Sequence, residues 1–326
     1  MNAALAVLEP RLLALMGGRR RLIGLSLMRI LLGVAALEFY LSDYTSRQFL
    51  WGPNSYATWS SFVRTMPTGQ YSLYEASHSA WWFELVFHAS VLVAIAFTIC
   101  GGRVLTTLHA FMLWSIYLRN PGILEGGDNL ARIVLLFMIL CTTDAYFSPF
   151  ARRRRERLAV SDARFSFPNA LHNTATILIV FQIATVYFVA GIWKVAGKSW
   201  LNGSAMYYIS RINEFHFSGP LSWLMRNAFA TTAVCYVTIV IEVGFPFLIA
   251  SRRAYLRKLE VLLIEGMHFG IIFGMGLVPF GLIMLGADFS CLRDDDYRSL
   301  APYARRAGEW IRRVGGAEPS PVLARE

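Results

Sequence analysis

The stretch Tyr187–Gly203 reads Y-F-V-A-G-I-W-K-V-A-G-K-S-W-L-N-G and decides how the rest of the chain is interpreted. It lies at the end of a long apolar run that begins near Asn169. This position leaves Lys194 close to membrane hydrocarbon, where an ionisable side chain is costly and marks a candidate functional site. On a helix, Tyr187, Gly191 and Lys194 follow each other at i, i+4 and i+7, so they share one stripe. The alternative is that Lys194 is an anchor whose amine extends to the lipid headgroups.

The composition predicts an α-helical membrane protein. Of the 326 residues, 56% are hydrophobic, and the mean hydropathy is +0.45, which is above the range of soluble proteins. The formal net charge of +10 comes from basic residues clustered in short loops between apolar runs. That pattern is typical of membrane orientation and argues against nucleic-acid binding. The four cysteines lack metal or disulfide spacing, so the sequence predicts no metal site.

Eight apolar segments predict an all-α bundle of eight transmembrane helices. Their predicted bounds are 22–41, 81–100, 104–118, 129–147, 169–193, 228–250, 259–278 and 280–292. The chain is therefore divided into an amphipathic cytoplasmic lead (1–21), a transmembrane domain (22–292) and a basic cytoplasmic tail (293–326). We expect the last part of the tail, 315–326, to be disordered.

The basic residues also predict the orientation of the bundle. With eight spans and the N-terminus inside, 22 of the 31 Lys and Arg residues fall in inner segments and 7 in outer ones. Since cytoplasmic loops carry the excess of positive charge, both termini are expected in the cytoplasm and Lys194 at the outer face. The expected location is the cell membrane, crossed several times.

The fourth apolar segment begins with a polar run, G-G-D-N, at Gly126–Asn129. Asp128 and Arg132 lie four residues apart, as an ion pair on one helix face would. The simpler interpretation is a helix N-cap with that ion pair, and a polar functional site is the alternative.

The seventh apolar segment contains Gly266, Gly270 and Gly274 at intervals of four residues. This spacing predicts a small-residue seam for close helix contact, in which leucine at Gly270 would disrupt the fold. His268 is two positions off the seam and points roughly to the opposite side, with Glu265 nearby. His268 is either a histidine that only forms hydrogen bonds within the bundle or a catalytic residue.

These pieces together resemble the HTTM family, the transmembrane module shared with vitamin K-dependent gamma-carboxylase. The resemblance covers roughly residues 20–292. The matching pieces, in chain order, are G-G-D-N at Gly126–Asn129, Y-F-V-A-G-I-W-K at Tyr187–Lys194, W-L-N-G at Trp200–Gly203, Glu242 with Pro246 four residues later, and His268 on the next segment.

The resemblance implies a function for this chain. In the carboxylase, the lysine that matches Lys194 looks like the base that handles reduced vitamin K, and the enzyme adds CO2 to glutamate using energy from oxidation of the quinol. A catalytic member would then be a carboxylase-like membrane enzyme with a vitamin K-type quinol as cofactor. The implied catalytic residues are Lys194, Glu242 and His268, and the implied substrate- or cofactor-binding residues are Tyr187, Gly191, Trp193, Trp200, Asp128, Asn129 and Arg132.

Stand-alone HTTM proteins of this length also resemble the sporulation-delaying-protein B family. Those bacterial membrane proteins help to mature a secreted peptide toxin and act with a small partner.

Three functions follow: an enzyme-like outer-face site that modifies or matures a secreted peptide, a non-catalytic accessory that binds a toxin precursor or small accessory protein, and a small-molecule carrier. In the carrier, the polar path would consist of Asp128, Arg132, Glu242 and His268. The lipid bilayer is the surrounding partner in all three.

The predicted orientation is tested by cysteine labelling in intact cells. In a background without the native cysteines, Thr68→Cys and Asn202→Cys should react with a membrane-impermeant thiol reagent, whereas Ala159→Cys should be protected, because the basic residues predict only the first two positions outside. Labelling at Ala159 with protection at both other positions would reverse the predicted orientation.

Overall fold

The computed structural model describes residues 13, 15–161, 166–215 and 219–314, and within these ranges the regular structure is helical, without strands. Each predicted apolar segment contains a helix. These bundle helices are α1 (Leu22–Ser42), α2 (Ala80–Ile99), α3 (Arg103–Arg119), α4 (Gly126–Met138), α5 (Phe167–Ala196), α6 (Ala228–Ala250), α7 (Ala254–Met275) and α8 (Val278–Cys291).

Four of these helices, α1, α2, α5 and α6, are long and apolar enough to cross a membrane. The prediction of an all-helical membrane protein is therefore confirmed. The count of eight spans and the cytoplasmic location of both termini stay predictions. Most of the predicted lead (1–12 and 14) and the tail segment expected to be disordered (315–326) lie outside the described residues.

Shorter helices connect the bundle helices. A longer helix, Asp294–Val314, follows α8. The connecting helices are Arg47–Trp51 and Trp59–Thr65 between α1 and α2, Ala151–Ser161 between α4 and α5, and Lys198–Leu201, Ala205–Ile209 and Gly219–Leu224 between α5 and α6.

The short helix α8 occupies the centre of the bundle. It packs against α1, α4, α5 and α7, and its residues from Ile283 to Asp288 are all buried. A helix that is apolar on every side is typical of such an interior position. Because α8 is surrounded by protein, its one acidic side chain, Asp288, is also completely buried.

Close contact between α1 and α8 depends on Gly24. A Cβ atom at Gly24 would lie 2.5 Å from the backbone oxygen of Phe289 and 3.0 Å from the Cα of Ser290. Both of these are backbone positions that cannot rotate away. Glycine therefore lets the two helices approach more closely than any other residue would allow.

Charged groups join the N-terminal end of α1 to the C-terminal end of α8. Arg21 donates to the backbone oxygens of Ser290 and Cys291, and Asp294 accepts from the first two N–H groups of α1. We call this end of the bundle the Arg21 end.

A buried ion pair lies beside it, because Arg257 donates to both carboxylate oxygens of Asp296 at 2.5 and 2.9 Å. Burial acts to raise the pKa of Asp296. The hydrogen bonds from Arg257 and from the backbone N–H of Arg293 outweigh burial, and the pKa is lowered. Asp296 therefore keeps its charge within the pair.

The predicted fourth span, 129–147, is wrong at its C-terminal half, because α4 ends well before residue 147. The chain then continues as turns and bends in which Cys141, Thr142, Thr143 and Ala145 are buried. Side chains from other helices satisfy this irregular backbone: the N–H of Thr142 donates to His172, and Arg29 donates to the oxygen of Phe147 at 2.6 Å. Irregular backbone is tolerated at such depth only where the protein supplies these partners, and hydropathy alone does not reveal them.

The predicted glycine seam on α7 is also wrong. Gly266 and Gly270 are exposed, and a Cβ atom at either position would meet nothing within 4 Å. Among the three glycines only Gly274 is buried. His268 and Glu265 lie on the side of α7 opposite Gly266 and Gly270, as the spacing predicted, but it is this side that is buried in the bundle.

These contacts predict opposite effects for two alanine substitutions. Gly24→Ala should destabilise the protein by ~1–3 kcal/mol, the usual cost of overpacking. Gly270→Ala should be neutral or stabilising by up to about 1 kcal/mol, because alanine favours helix and has open space there. Thermal unfolding of the purified variants in detergent measures both. A larger loss of stability for Gly270→Ala than for Gly24→Ala would contradict the packing of α7.

Candidate functional site

Lys194 forms an ion pair with Glu242 near the C-terminal end of α5. The amine donates to both carboxylate oxygens, at 2.8 and 2.7 Å. The Lys194 side chain is 21% exposed and that of Glu242 only 6%. Trp200, in the short helix that follows α5, covers the amine, with Nζ 5.2 Å from the ring centroid. The pair is thus partly shielded from solvent and held in a fixed geometry.

Gly191 allows this pair to form. A Cβ atom at Gly191 would lie 2.7 Å from Cγ2 of Val243, 3.0 Å from its backbone nitrogen and 3.2 Å from Cβ of Glu242. Atoms of α6 thus occupy the space that a side chain at position 191 would need. Gly191 is therefore a point of close contact between α5 and α6, one turn before Lys194.

Tyr187 joins three helices in the interior of the bundle. Its hydroxyl lies 2.8 Å from Nε2 of His268 on α7 and 2.8 Å from each carboxylate oxygen of Asp288 on α8. The same histidine nitrogen lies 3.7 Å from Asp288. All three side chains are buried, and buried polar groups that bond only to each other hold their helices in one arrangement.

Two further acids lie on the buried side of α7. Both carboxylate oxygens of Glu265 and both of Glu260 are buried and accept no hydrogen bond from the described residues. Nδ1 of His268 is also buried without such a partner. An unpartnered buried polar group is expensive, so the protonation of these three side chains matters for the energy of the fold.

Asp128 belongs to a separate group at the N-terminal end of α4. It accepts from the hydroxyl of Tyr117 at 2.5 Å and from the backbone N–H of Glu125 at 2.9 Å. Burial, assisted by the charge of Asp128, raises the pKa of Glu125 to about 7. The predicted ion pair with Arg132 does not form. Arg132 donates to Asn129 instead and lies over the ring of Trp114 at 5.5 Å.

The structure therefore divides the predicted site residues. It brings Lys194 and Glu242 together with Trp200, and it joins Tyr187 to His268 one layer deeper. Trp193 is 73% exposed, and Asp128, Asn129 and Arg132 bond within their own group. Asp288 is not among the residues predicted from the sequence, although an aspartate inside the apolar run G-L-I-M-L-G-A-D-F-S-C is the kind of signal that marks a functional position.

Fold and site together define an all-helical membrane protein with ionisable side chains held between its apolar helices. The chain is similar to sporulation-delaying protein SdpB of Bacillus subtilis (strain 168), with 26% identity over 269 residues, which cover 80% of this chain and 78% of SdpB. It is also similar to uncharacterized protein YitO of the same organism, with 23% identity over 63% of this chain and 65% of YitO. No protein-family model matches the chain, and no solved structure matches it.

The Tyr187 hydroxyl is expected to stabilise the bundle measurably. Tyr187→Phe leaves Asp288 and His268 without their shared partner, which should cost ~1–3 kcal/mol. Tyr236→Phe is the control, because its hydroxyl makes one exposed hydrogen bond, to the backbone oxygen of Leu201 at 2.6 Å, worth about 0.5–1.5 kcal/mol. Thermal unfolding in detergent compares the two. Equal losses would show that the interior network adds nothing beyond a single hydrogen bond.

Proposed function

We propose that this chain is an integral membrane protein that takes part in the maturation of a secreted peptide, through an outer-face site centred on Lys194. The observation that carries the proposal is the shielded Lys194–Glu242 pair at the end of a long apolar helix. Similarity to a protein named as sporulation-delaying, over most of both chains, supports it. The outer-face location rests on the distribution of basic residues.

Within this site, Lys194 is proposed as the base. Its amine and the Glu242 carboxylate share hydrogen bonds of 2.8 and 2.7 Å, so a proton can pass from Nζ to the carboxylate. The products are a neutral amine and a neutral carboxylic acid, and poorly solvated surroundings favour neutral forms relative to water. The neutral amine can then accept a proton from a bound substrate. Trp200 would bind the ammonium form through its ring and hold the side chain in place.

A reduced vitamin K-type quinol, as the HTTM resemblance implies, stays a prediction. Mass spectrometry of quinones retained after mild detergent extraction tests it. Recovery of no quinone with the protein would contradict the quinol prediction and would leave the Lys194–Glu242 proposal to be tested by substitution.

Substitution of Lys194 distinguishes a base from a charged anchor. Lys194→Ala should insert and accumulate, because removing a charge lowers the cost of insertion, but peptide maturation should be lost. Lys194→Arg keeps a charge that can bind both oxygens of Glu242, yet guanidinium does not release its proton at usable pH. We therefore expect Lys194→Arg to be inactive. The measurement is mass spectrometry of secreted peptides, comparing each variant with cells that carry the intact gene and cells that lack it.

The matched control is Lys198→Arg, four residues later in the chain at an exposed position, which should retain activity. If Lys194→Arg matures the peptide as well as the unchanged protein at equal membrane abundance, Lys194 is not a base. The pair would then serve a non-catalytic accessory that binds a precursor or a partner.

A further inference from the structure

A row of ionisable side chains extends from the Lys194–Glu242 pair into the bundle. Tyr187 precedes Lys194 by seven residues on α5, which is about 10 Å along the helix. Its hydroxyl contacts His268 and Asp288. The row continues along the buried side of α7 toward the Arg21 end, and its members there are Glu265, one turn before His268, and Glu260.

The interior part of this row is enclosed by protein. Asp288 and Glu260 are fully buried, and His268 and Glu265 are nearly so. In the described part of the chain, His268 is the only basic group within 4.0 Å of Asp288. Isolated charges in such surroundings cost several kcal/mol each. We therefore infer that protons, and not cationic side chains, neutralise most of the charge of the carboxyl groups of Asp288, Glu265 and Glu260.

The groups that face Asp288 come from several helices. Tyr187 approaches from α5, and His268, Glu265 and Glu260 belong to α7. Cys291 lies one turn later on α8 itself. From α1, Arg21 reaches the backbone oxygens of Ser290 and Cys291 and not the carboxylate.

The Tyr187 hydroxyl has two neighbours that could accept a hydrogen bond but only one hydrogen to donate. It has a single hydrogen to donate, yet His268 and Asp288 both lie at 2.8 Å. In one arrangement, His268 is an imidazolium with a proton on both nitrogens, its Nε2–H donates to the tyrosine oxygen, and the tyrosine donates to the carboxylate of Asp288. In the other, protonated Asp288 donates to the tyrosine, and the tyrosine donates to Nε2 of a neutral His268 that keeps its proton on Nδ1. Passing between them moves one proton from His268 to Asp288, or back, and leaves Tyr187 neutral.

We propose that this row is a proton path, in which protons pass between the Arg21 end of the bundle and the Lys194–Glu242 pair with Tyr187 as the relay. The chain thereby has a second activity, the movement of protons across the membrane. This activity goes beyond peptide maturation and does not rest on it. A proton that reaches Glu260 from the Arg21 end passes by way of Glu265 and Asp288 to Tyr187 and His268, and leaves at Lys194. Direct contacts carry it among Asp288, Tyr187 and His268. The other steps, including the roughly 10 Å along α5 between Tyr187 and Lys194, join groups that are not in direct contact and would use water molecules as carriers.

The experiment uses the purified full-length chain in liposomes that enclose a pH-sensitive dye. A potassium gradient with valinomycin sets a membrane potential that drives protons inward. We expect the unchanged protein to acidify the interior faster than protein-free liposomes, with no peptide present. Tyr187→Phe should lose this protein-dependent flux, because phenylalanine has no proton to relay.

Glu265→Gln is the second variant, because it removes the titratable group without breaking any hydrogen bond among the described residues. It should elute from size-exclusion chromatography like the unchanged protein and also lose the flux. Glu38→Gln is the matched control: Glu38 is a partly buried acid on α1 with one oxygen buried and unpartnered, but it lies outside the row. It should conduct like the unchanged protein.

Two results would overturn the proposal. One is a flux through the unchanged protein no greater than that of protein-free liposomes, which decides the matter even if a variant does not fold. The other is a flux that folded Tyr187→Phe and Glu265→Gln retain in full, which would make the row a structural network only. Because no peptide is needed, neither result bears on the maturation proposal, and loss of maturation in Lys194→Arg does not by itself support the proton path.

Discussion

The arrangement of the bundle depends on how the carboxylate of Asp288 is accommodated at its centre. The helix α8 is buried on all sides, so its single acid has no access to solvent. The Tyr187 hydroxyl from α5 and the imidazole of His268 from α7 are the groups that meet it. A buried carboxylate costs several kcal/mol if it stays charged without a partner, and its hydrogen bonds offset part of the cost of burying it. The positions of α5 and α7 around α8 are therefore constrained by this one polar contact.

Helix packing separates the candidate site into two connected layers. Gly191 lets α5 approach α6 closely enough for Lys194 to reach Glu242, and Gly24 lets α1 approach α8. The Lys194–Glu242 ion pair forms the partly exposed layer. The layer around Tyr187, His268 and Asp288 is buried. Because both layers include residues of α5, a change in the tilt of this helix would alter them together.

Similarity to SdpB and the geometry of the site support each other at different levels. The sequence similarity extends over most of the chain but at low identity, so it indicates a shared architecture more firmly than a shared reaction. The geometry adds what similarity cannot, since it shows which ionisable groups meet. Lys194 donates to Glu242. Asp128, in contrast, accepts a hydrogen bond from the backbone N–H of Glu125 at the start of α4. The group around Lys194 consists of one lysine, one glutamate and a covering tryptophan.

The sequence by itself determined the class of the protein and most of its helices, because apolar length and loop charge act locally and need no knowledge of neighbours. It also marked Lys194, Glu242, Tyr187 and His268, since ionisable or polar residues in apolar helices stand out at any depth. Only the tertiary structure decided which of them pair, because residues far apart in the chain meet through helix packing. In the tertiary structure, the face of α7 that carries Gly266 and Gly270 points outward. The end of the predicted fourth span is irregular backbone whose hydrogen-bond partners come from distant helices. Arg132 donates to Asn129 and not to Asp128. The tertiary structure also put Asp288 at the centre, since the burial of a side chain is set by everything that surrounds its helix.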